Sequence, residues 1–134
     1  LTLISRMGAE KIGDGLPPLL EAVKASGHPV VWACDPMHGN TFTAPGGRKT
    51  RHLDAVMQEI AGFFAAHRQV GTWPGGVHVE LTGDNVTECT GGARGLSDAD
   101  LQRAYRSTVD PRLNYEQALE LALLIAERAH SRRV

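Results

Sequence analysis

Four side chains of the kinds that hold ions and anions stand at or just after strand-like runs: Arg6, His38, Glu80 and, in a following loop, Asp110. The stretch VVWACDPMHGN, residues 30–40, shows the pattern most clearly. Its apolar, β-branched run breaks into Asp35, Pro36, His38 and Gly39, as where a buried strand ends in a polar turn. At the carboxyl end of a parallel strand an imidazole is held rigidly while its ring nitrogen faces a cleft, which suits a metal ligand or an acid/base. Taken alone, His38 reads more readily as a turn histidine capping backbone groups, and the rest of the chain decides the matter. Arg6, at the end of LTLISRMG, offers a planar fork for a carboxylate or phosphate, or is simply an exposed loop arginine. Glu80, in VHVELTG, shares a strand face with His78, and a carboxylate turned inward there needs a cation or a basic partner. His78 itself reads as a packed or supporting residue rather than a ligand. One nitrogen and two carboxylates suit divalent manganese, iron, cobalt or zinc, and a nearby arginine suits an anionic substrate. The residues alone therefore point to metal-assisted chemistry on a phosphorylated or carboxylated small molecule.

The elements that must position them follow from periodicity. LTLIS is a short buried strand, and GDGLPPLLEAVKASGH is an amphipathic helix. That helix has prolines in its first turn, a stripe of Leu16, Leu19, Leu20 and Val23, and a stop at Gly27. After the His38 strand, TFTAPGGRKT reads as a loop on the same side as His38. Its Lys49, with Arg51 just beyond it, would meet a phosphate or remain solvated. Residues 52–67 carry Leu53, Val56, Met57, Ile60, Phe63 and Phe64 at helical spacing, a second helix whose stripe is core. GTWPGG reads as a turn and VHVELTG as a third strand. SDADLQRAYRS is a short helix with Ser97 and Asp100 in a capping box. DPRLN is loop, and NYEQALELALLIAERAHSRR is a final helix that covers the sheet and ends basic. The order is α/β with parallel neighbouring strands, three βα units in all. Such a chain is either a small open α/β domain or the last part of a (β/α)8 barrel, which needs about 250 residues when complete.

Bulk properties narrow the function. The chain has 134 residues, one domain spanning 1–134, with a formal net charge of -1 and 42% hydrophobic residues. It has no basic field for nucleic acid, and no apolar run approaches the roughly 20 residues of a membrane span, so neither nucleic acid nor membrane is an expected partner. It opens at Leu1 inside a strand-like run with no initiator methionine, so its start is silent about targeting. Two cysteines, Cys34 and Cys89, are too few for a disulfide framework and fit a reducing compartment. Neither has metal-type spacing.

The blocks LTLISRMG, CDPMHGNT, KTRH, GGVHVELTG, NVTEC and DPRLN, in this order and spacing, closely resemble the carboxyl-terminal part of class II 3-deoxy-D-arabino-heptulosonate 7-phosphate (DAHP) synthase, the plant and actinobacterial type. The resemblance covers essentially the whole chain. It implies the last three βα units of a TIM barrel and condensation of phosphoenolpyruvate with erythrose 4-phosphate, the first step of the shikimate pathway to chorismate and the aromatic amino acids. By position, His38, Glu80 and Asp110 match three of the family's metal ligands, and Arg6 matches an arginine that binds phosphoenolpyruvate. Manganese is the implied cofactor, with cobalt, iron or zinc as alternatives. The location implied is the bacterial cytoplasm, or the plastid in a plant.

The chain departs from the family pattern in two ways. The family's fourth ligand, a cysteine on the first barrel strand, has no counterpart here, and neither Cys34 nor Cys89 replaces it. Val109 stands where relatives often carry cysteine, directly before Asp110. Three strands cannot close a barrel, so the expectation is a barrel completed by an amino-terminal half in cis or in trans, with no activity for this segment alone; a homo-oligomer is the expected assembly. The alternative is a non-catalytic remnant that binds metal weakly or associates with a companion chain. An unrelated metal-dependent lyase or hydrolase on a small α/β domain would make the aligned blocks an accident.

Overall fold

The computed structural model describes residues 1–130. Its elements are β1 (Thr2–Ser5), α1 (Ile12–Ser26), β2 (Val31–Cys34), β3 (Thr41–Thr43), β4 (Lys49–Arg51), α2 (Leu53–Val70), β5 (Pro74–Val77) and α3 (Tyr115–His130), with single 3-10 turns at His38–Asn40 and Asp98–Gln102. Strands β1, β2 and β5 form one parallel sheet in that order. Each therefore delivers its carboxyl end to the same edge. Residues Leu3 and Trp32 pair in register, as do Ser5 and Cys34, and this face packs under the helices. Ile12, Leu16 and Leu20 of α1 join Val56, Ile60 and Phe63 of α2 and Trp32 of β2 in the core. The opposite face carries Ile4 and Val31, 60% and 53% exposed.

The helices lie close to their expected positions. α1 stops at Gly27 as the sequence predicts. It starts earlier, however, so Pro17 and Pro18 occupy its second turn rather than its first. The carbonyls that proline leaves without a partner belong to Gly13 and Asp14, both exposed, where water can serve them. Leu16 and Leu20 are buried, but Leu19 faces outward at 48% exposure. α2 extends beyond the expected 52–67 to Val70. The capping box of Ser97 and Asp100 is present on its single turn. In α3, Leu121 is buried while Leu119 and Leu123 are exposed, so only one side of its apolar band packs. The final residues of that stretch, 131–134, lie outside the described residues.

Three expectations are corrected. The segment read as a loop after His38 is a hairpin, β3 pairing antiparallel with β4 in the register Thr41 to Arg51, Phe42 to Thr50 and Thr43 to Lys49. The third sheet strand runs Pro74–Val77: it begins inside the segment read as a turn and ends before His78, so His78 and Glu80 lie in the run that follows it and not on the strand. Gly75 explains the early start: a Cβ there would lie 2.7 Å from the Trp32 carbonyl oxygen, so only glycine lets β5 approach β2 so closely. Finally, DPRLN is not wholly loop. Leu81 bridges Leu113 in parallel, the Leu113 amide donating to the Glu80 carbonyl at 3.0 Å and the Thr82 amide to the Leu113 carbonyl at 2.9 Å. A single parallel bridge thus ties the run after β5 to the segment after Asp110.

The loops after β1 and β2 touch backbone to backbone. A Cβ on Gly39 would lie 2.5 Å from the Gly8 amide nitrogen. Gly39→Ala therefore forces the two loops apart, at an expected cost of about 1–3 kcal/mol. Chemical denaturation of the variant against the parent chain measures it, and an unchanged unfolding midpoint would contradict the contact.

Candidate metal centre

His38 emerges from β2 through a tight turn whose geometry is set by Asp35. The Asp35 Oδ1 accepts from the amides of Met37 (3.0 Å) and His38 (3.3 Å), and Oδ2 lies 2.7 Å from His38 Nδ1. Burial works against the Asp35 charge, but the hydrogen bonds from those two amides and from the imidazole outweigh it, so its carboxyl is held below the usual carboxylate range. A carboxylate on Nδ1 fixes the proton there and leaves the lone pair of Nε2 free, the arrangement a metal-binding histidine needs.

Nε2 faces two carboxylates. Glu80 Oε1 lies 3.5 Å away and Asp110 Oδ2 3.9 Å. One ligand atom from each of His38, Glu80 and Asp110 falls within 4.8 Å of the others, all three residues half-buried. They arrive from three chain segments: the turn after β2, the extended run after β5, and the loop before the Leu113 bridge. One imidazole nitrogen and two carboxylate oxygens at this spacing fit a divalent transition ion.

Cations hold the carboxylates from behind. Arg51 is fully buried. Its Nη1 lies 2.5 Å from Glu80 Oε2 and also donates to the Pro111 carbonyl, next to Asp110, while Nε donates to Thr41 Oγ1 at 2.7 Å. It is thus the basic partner that an inward Glu80 calls for, and not a solvated loop charge. Lys49, on the same strand, reaches Asp110 Oδ1 at 3.2 Å. This hydrogen bond is the largest influence on Asp110, whose carboxyl is lowered from its ordinary value. Arg6 sits at the same rim, with Nε 3.7 Å from Asp35 Oδ2 and its side chain 58% exposed. It joins His38 only through Asp35, and most of its guanidinium is open to solvent. His78 is exposed and stands outside the His38 group. Cys34 and Cys89 are buried free thiols, each pushed up to about 12 chiefly by burial, and neither belongs to the group.

Two buried carboxylates brace these loops and escape a reading by residue type. Glu59 accepts from the amides of Met7 (2.9 Å) and Gly8 (3.0 Å) and from Asn40 Nδ2 (2.7 Å), tying the Arg6 loop to the His38 loop. Burial is the dominant influence and raises its carboxyl. Its signal in the sequence is position: it lies on the same helical face as Val56, Ile60 and Phe63. Glu88 accepts from the amides of Arg106, Ser107 and Arg112 and from the Ser107 hydroxyl, at 2.7–2.9 Å, and so shapes the loop that carries Asp110. No local pattern announces it, because every partner lies 18 or more residues away.

Residues 1–126 match the class-II DAHP synthetase family. The chain belongs to that family. It is 58% identical over 127 residues to the phospho-2-dehydro-3-deoxyheptonate aldolase AroG of Mycolicibacterium smegmatis, a match covering 95% of this chain and 27% of that protein. It is 57% identical over 127 residues to the phospho-2-dehydro-3-deoxyheptonate aldolase of Streptomyces coelicolor, covering 95% of this chain and 28% of that one. This member of the DAHP synthetase family thus spans little more than a quarter of those relatives. No described helix is long and apolar enough to cross a membrane.

The Glu88 brace carries a pH signature. Burial opposes its charge, yet hydrogen bonds from Ser107, Arg112 and Arg106 leave its carboxyl lowered in the fold. A lowered carboxyl stabilises the fold above its unfolded value, and that contribution is lost as pH falls through the folded value. The stability gap between the parent chain and Glu88→Gln should therefore be full above about pH 5 and close in more acidic solution. Denaturation midpoints across pH measure it; a gap that widens with acid would contradict the assignment.

Proposed function

We propose that this chain supplies the metal-binding and phosphoenolpyruvate-holding part of a DAHP synthase, condensing phosphoenolpyruvate with erythrose 4-phosphate and releasing phosphate. The observation that carries the reading is the convergence of His38, Glu80 and Asp110, from three separated segments, in a chain 58% identical to an aldolase of that name. His38, Glu80 and Asp110 would hold the ion, manganese first, with cobalt, iron and zinc suited to the same donors. When bound, the ion supplies Lewis acidity toward the aldehyde oxygen of erythrose 4-phosphate. The chain's own residues do the rest. Asp35 keeps the proton on His38 Nδ1 and so keeps Nε2 available. Arg6, exposed at the end of β1, neutralises the anionic phosphoenolpyruvate and sets its enol carbon against the aldehyde, between which the new carbon–carbon bond forms; water then adds to the carbon that bears the phosphate, phosphate leaves from it to give the ketone, and the former aldehyde oxygen takes up the proton the water gives up.

On this reading the fold is the carboxyl-terminal part of a (β/α)8 barrel, its last βα units. The open sheet face bearing Ile4 and Val31 then becomes barrel interior, covered by an amino-terminal half in the same chain or a companion, within a homo-oligomer. A further ligand, a cysteine, would come from that half. Two unpaired thiols suit a reducing bacterial cytoplasm. Arg6 is 58% exposed and meets the His38 group only through Asp35, which favours a second reading, a non-catalytic remnant that still binds metal.

Manganese titration followed by electron paramagnetic resonance tests the site. His38→Ala should abolish binding, and Asp35→Asn should weaken it about 10–100-fold through loss of the oriented imidazole. Binding that survives His38→Ala would remove the site. The activity is tested by mixing the chain with the amino-terminal segment of a relative and following phosphoenolpyruvate consumption. Consumption that requires His38 supports the synthase, and an assembled but inactive complex supports the remnant.

A further inference from the structure

Each of the two carboxylates facing His38 Nε2 has one oxygen engaged by a cation and the other turned toward the imidazole. Glu80 Oε2 is 2.5 Å from Arg51 Nη1, whereas Oε1 is 3.5 Å from His38 Nε2. Asp110 repeats the pattern, with Oδ1 3.2 Å from Lys49 Nζ and Oδ2 3.9 Å from His38 Nε2. Both cations come from β4, two residues apart and hence on one face of the strand.

Arg51 has no freedom to release its oxygen. It is fully buried, and its backbone is fixed by ladder pairing to Thr41 and by the Thr90 amide, which donates to the Arg51 carbonyl at 2.9 Å. Its fork is pinned by Thr41 and Pro111. Its Nη2 is buried without a hydrogen-bond partner among the described residues.

We propose that Lys49 and Arg51 set the denticity of the site: each occupies one oxygen of a ligating carboxylate, so Glu80 and Asp110 present a single oxygen apiece, and the site discriminates against calcium. Calcium seeks six to eight oxygen ligands and gains them from carboxylates that bind through both oxygens. An ion content with fewer donors, including an imidazole nitrogen, loses little from single-oxygen carboxylates. The two cations also offset the two carboxylates before any ion arrives, which lets the acidic groups stand close together. The proposal rests on the metal-site reading above and adds to it the residues that govern selectivity.

The test is competition of calcium against manganese on the full chain, read by electron paramagnetic resonance of bound manganese and by calorimetry, for the parent, Lys49→Ala and Arg51→Lys. Lys49 is exposed, so Lys49→Ala should keep the parent's circular dichroism and unfolding midpoint. Its preference for manganese over calcium should fall about tenfold as Asp110 gains a second free oxygen. Arg51→Lys should shift the preference the same way; if it does not fold, Lys49→Ala decides alone. A folded Lys49→Ala with an unchanged manganese-to-calcium ratio overturns the proposal and leaves the metal site standing. A parent chain that binds no manganese, or binds it equally after His38→Ala, overturns the metal-site reading and this proposal with it.

Discussion

A buried guanidinium needs partners that stay in place, and Arg51 finds them in three parts of the chain: Thr41 on the neighbouring hairpin strand, Glu80 after β5, and the Pro111 carbonyl beside Asp110. Removing such a charge from water is costly unless its hydrogen bonds are met inside. The requirement works in both directions. Arg51 can be buried only if the Glu80 and Asp110 segments stand where they do, and those segments are held there by the same bonds. The hairpin of β3 and β4 is what carries Arg51 into this position.

Three further carboxylates are each used to shape backbone. Asp35 folds the turn that aims His38, Glu59 clamps the loop after β1 against the loop after β2, and Glu88 gathers the amides of residues 106–112. A buried carboxylate that accepts several amide hydrogen bonds repays much of its desolvation and leaves the surrounding loop a single conformation. Rigid loops on the ends of parallel strands allow three donors, separated by 42 and 30 residues along the chain, to meet within 4.8 Å.

Much of this was legible in the sequence because it depends on local pattern. The helices follow from apolar spacing, and α1 ends at Gly27 as read. His38 and Glu80 meet because the parallel strands before them share a direction. What escaped depends on distant partners. The hairpin was hidden by Pro45, Gly46 and Gly47, which make its turn and mask the β-forming Thr41–Thr43 and Lys49–Arg51 on either side. The start of β5 was hidden by Gly75, chosen for contact with Trp32 and not for strand propensity. Arg51 looked like a solvated charge because the groups that bury it lie 29 and 60 residues further along.

The account stands on one cation shared by His38, Glu80 and Asp110. Anomalous diffraction at the manganese absorption edge, from crystals of the chain grown with manganese, addresses it directly. The account predicts a peak in bonding contact with His38 Nε2, Glu80 Oε1 and Asp110 Oδ2 together. A peak at any other group of side chains, with those three atoms ordered and bare, would contradict it.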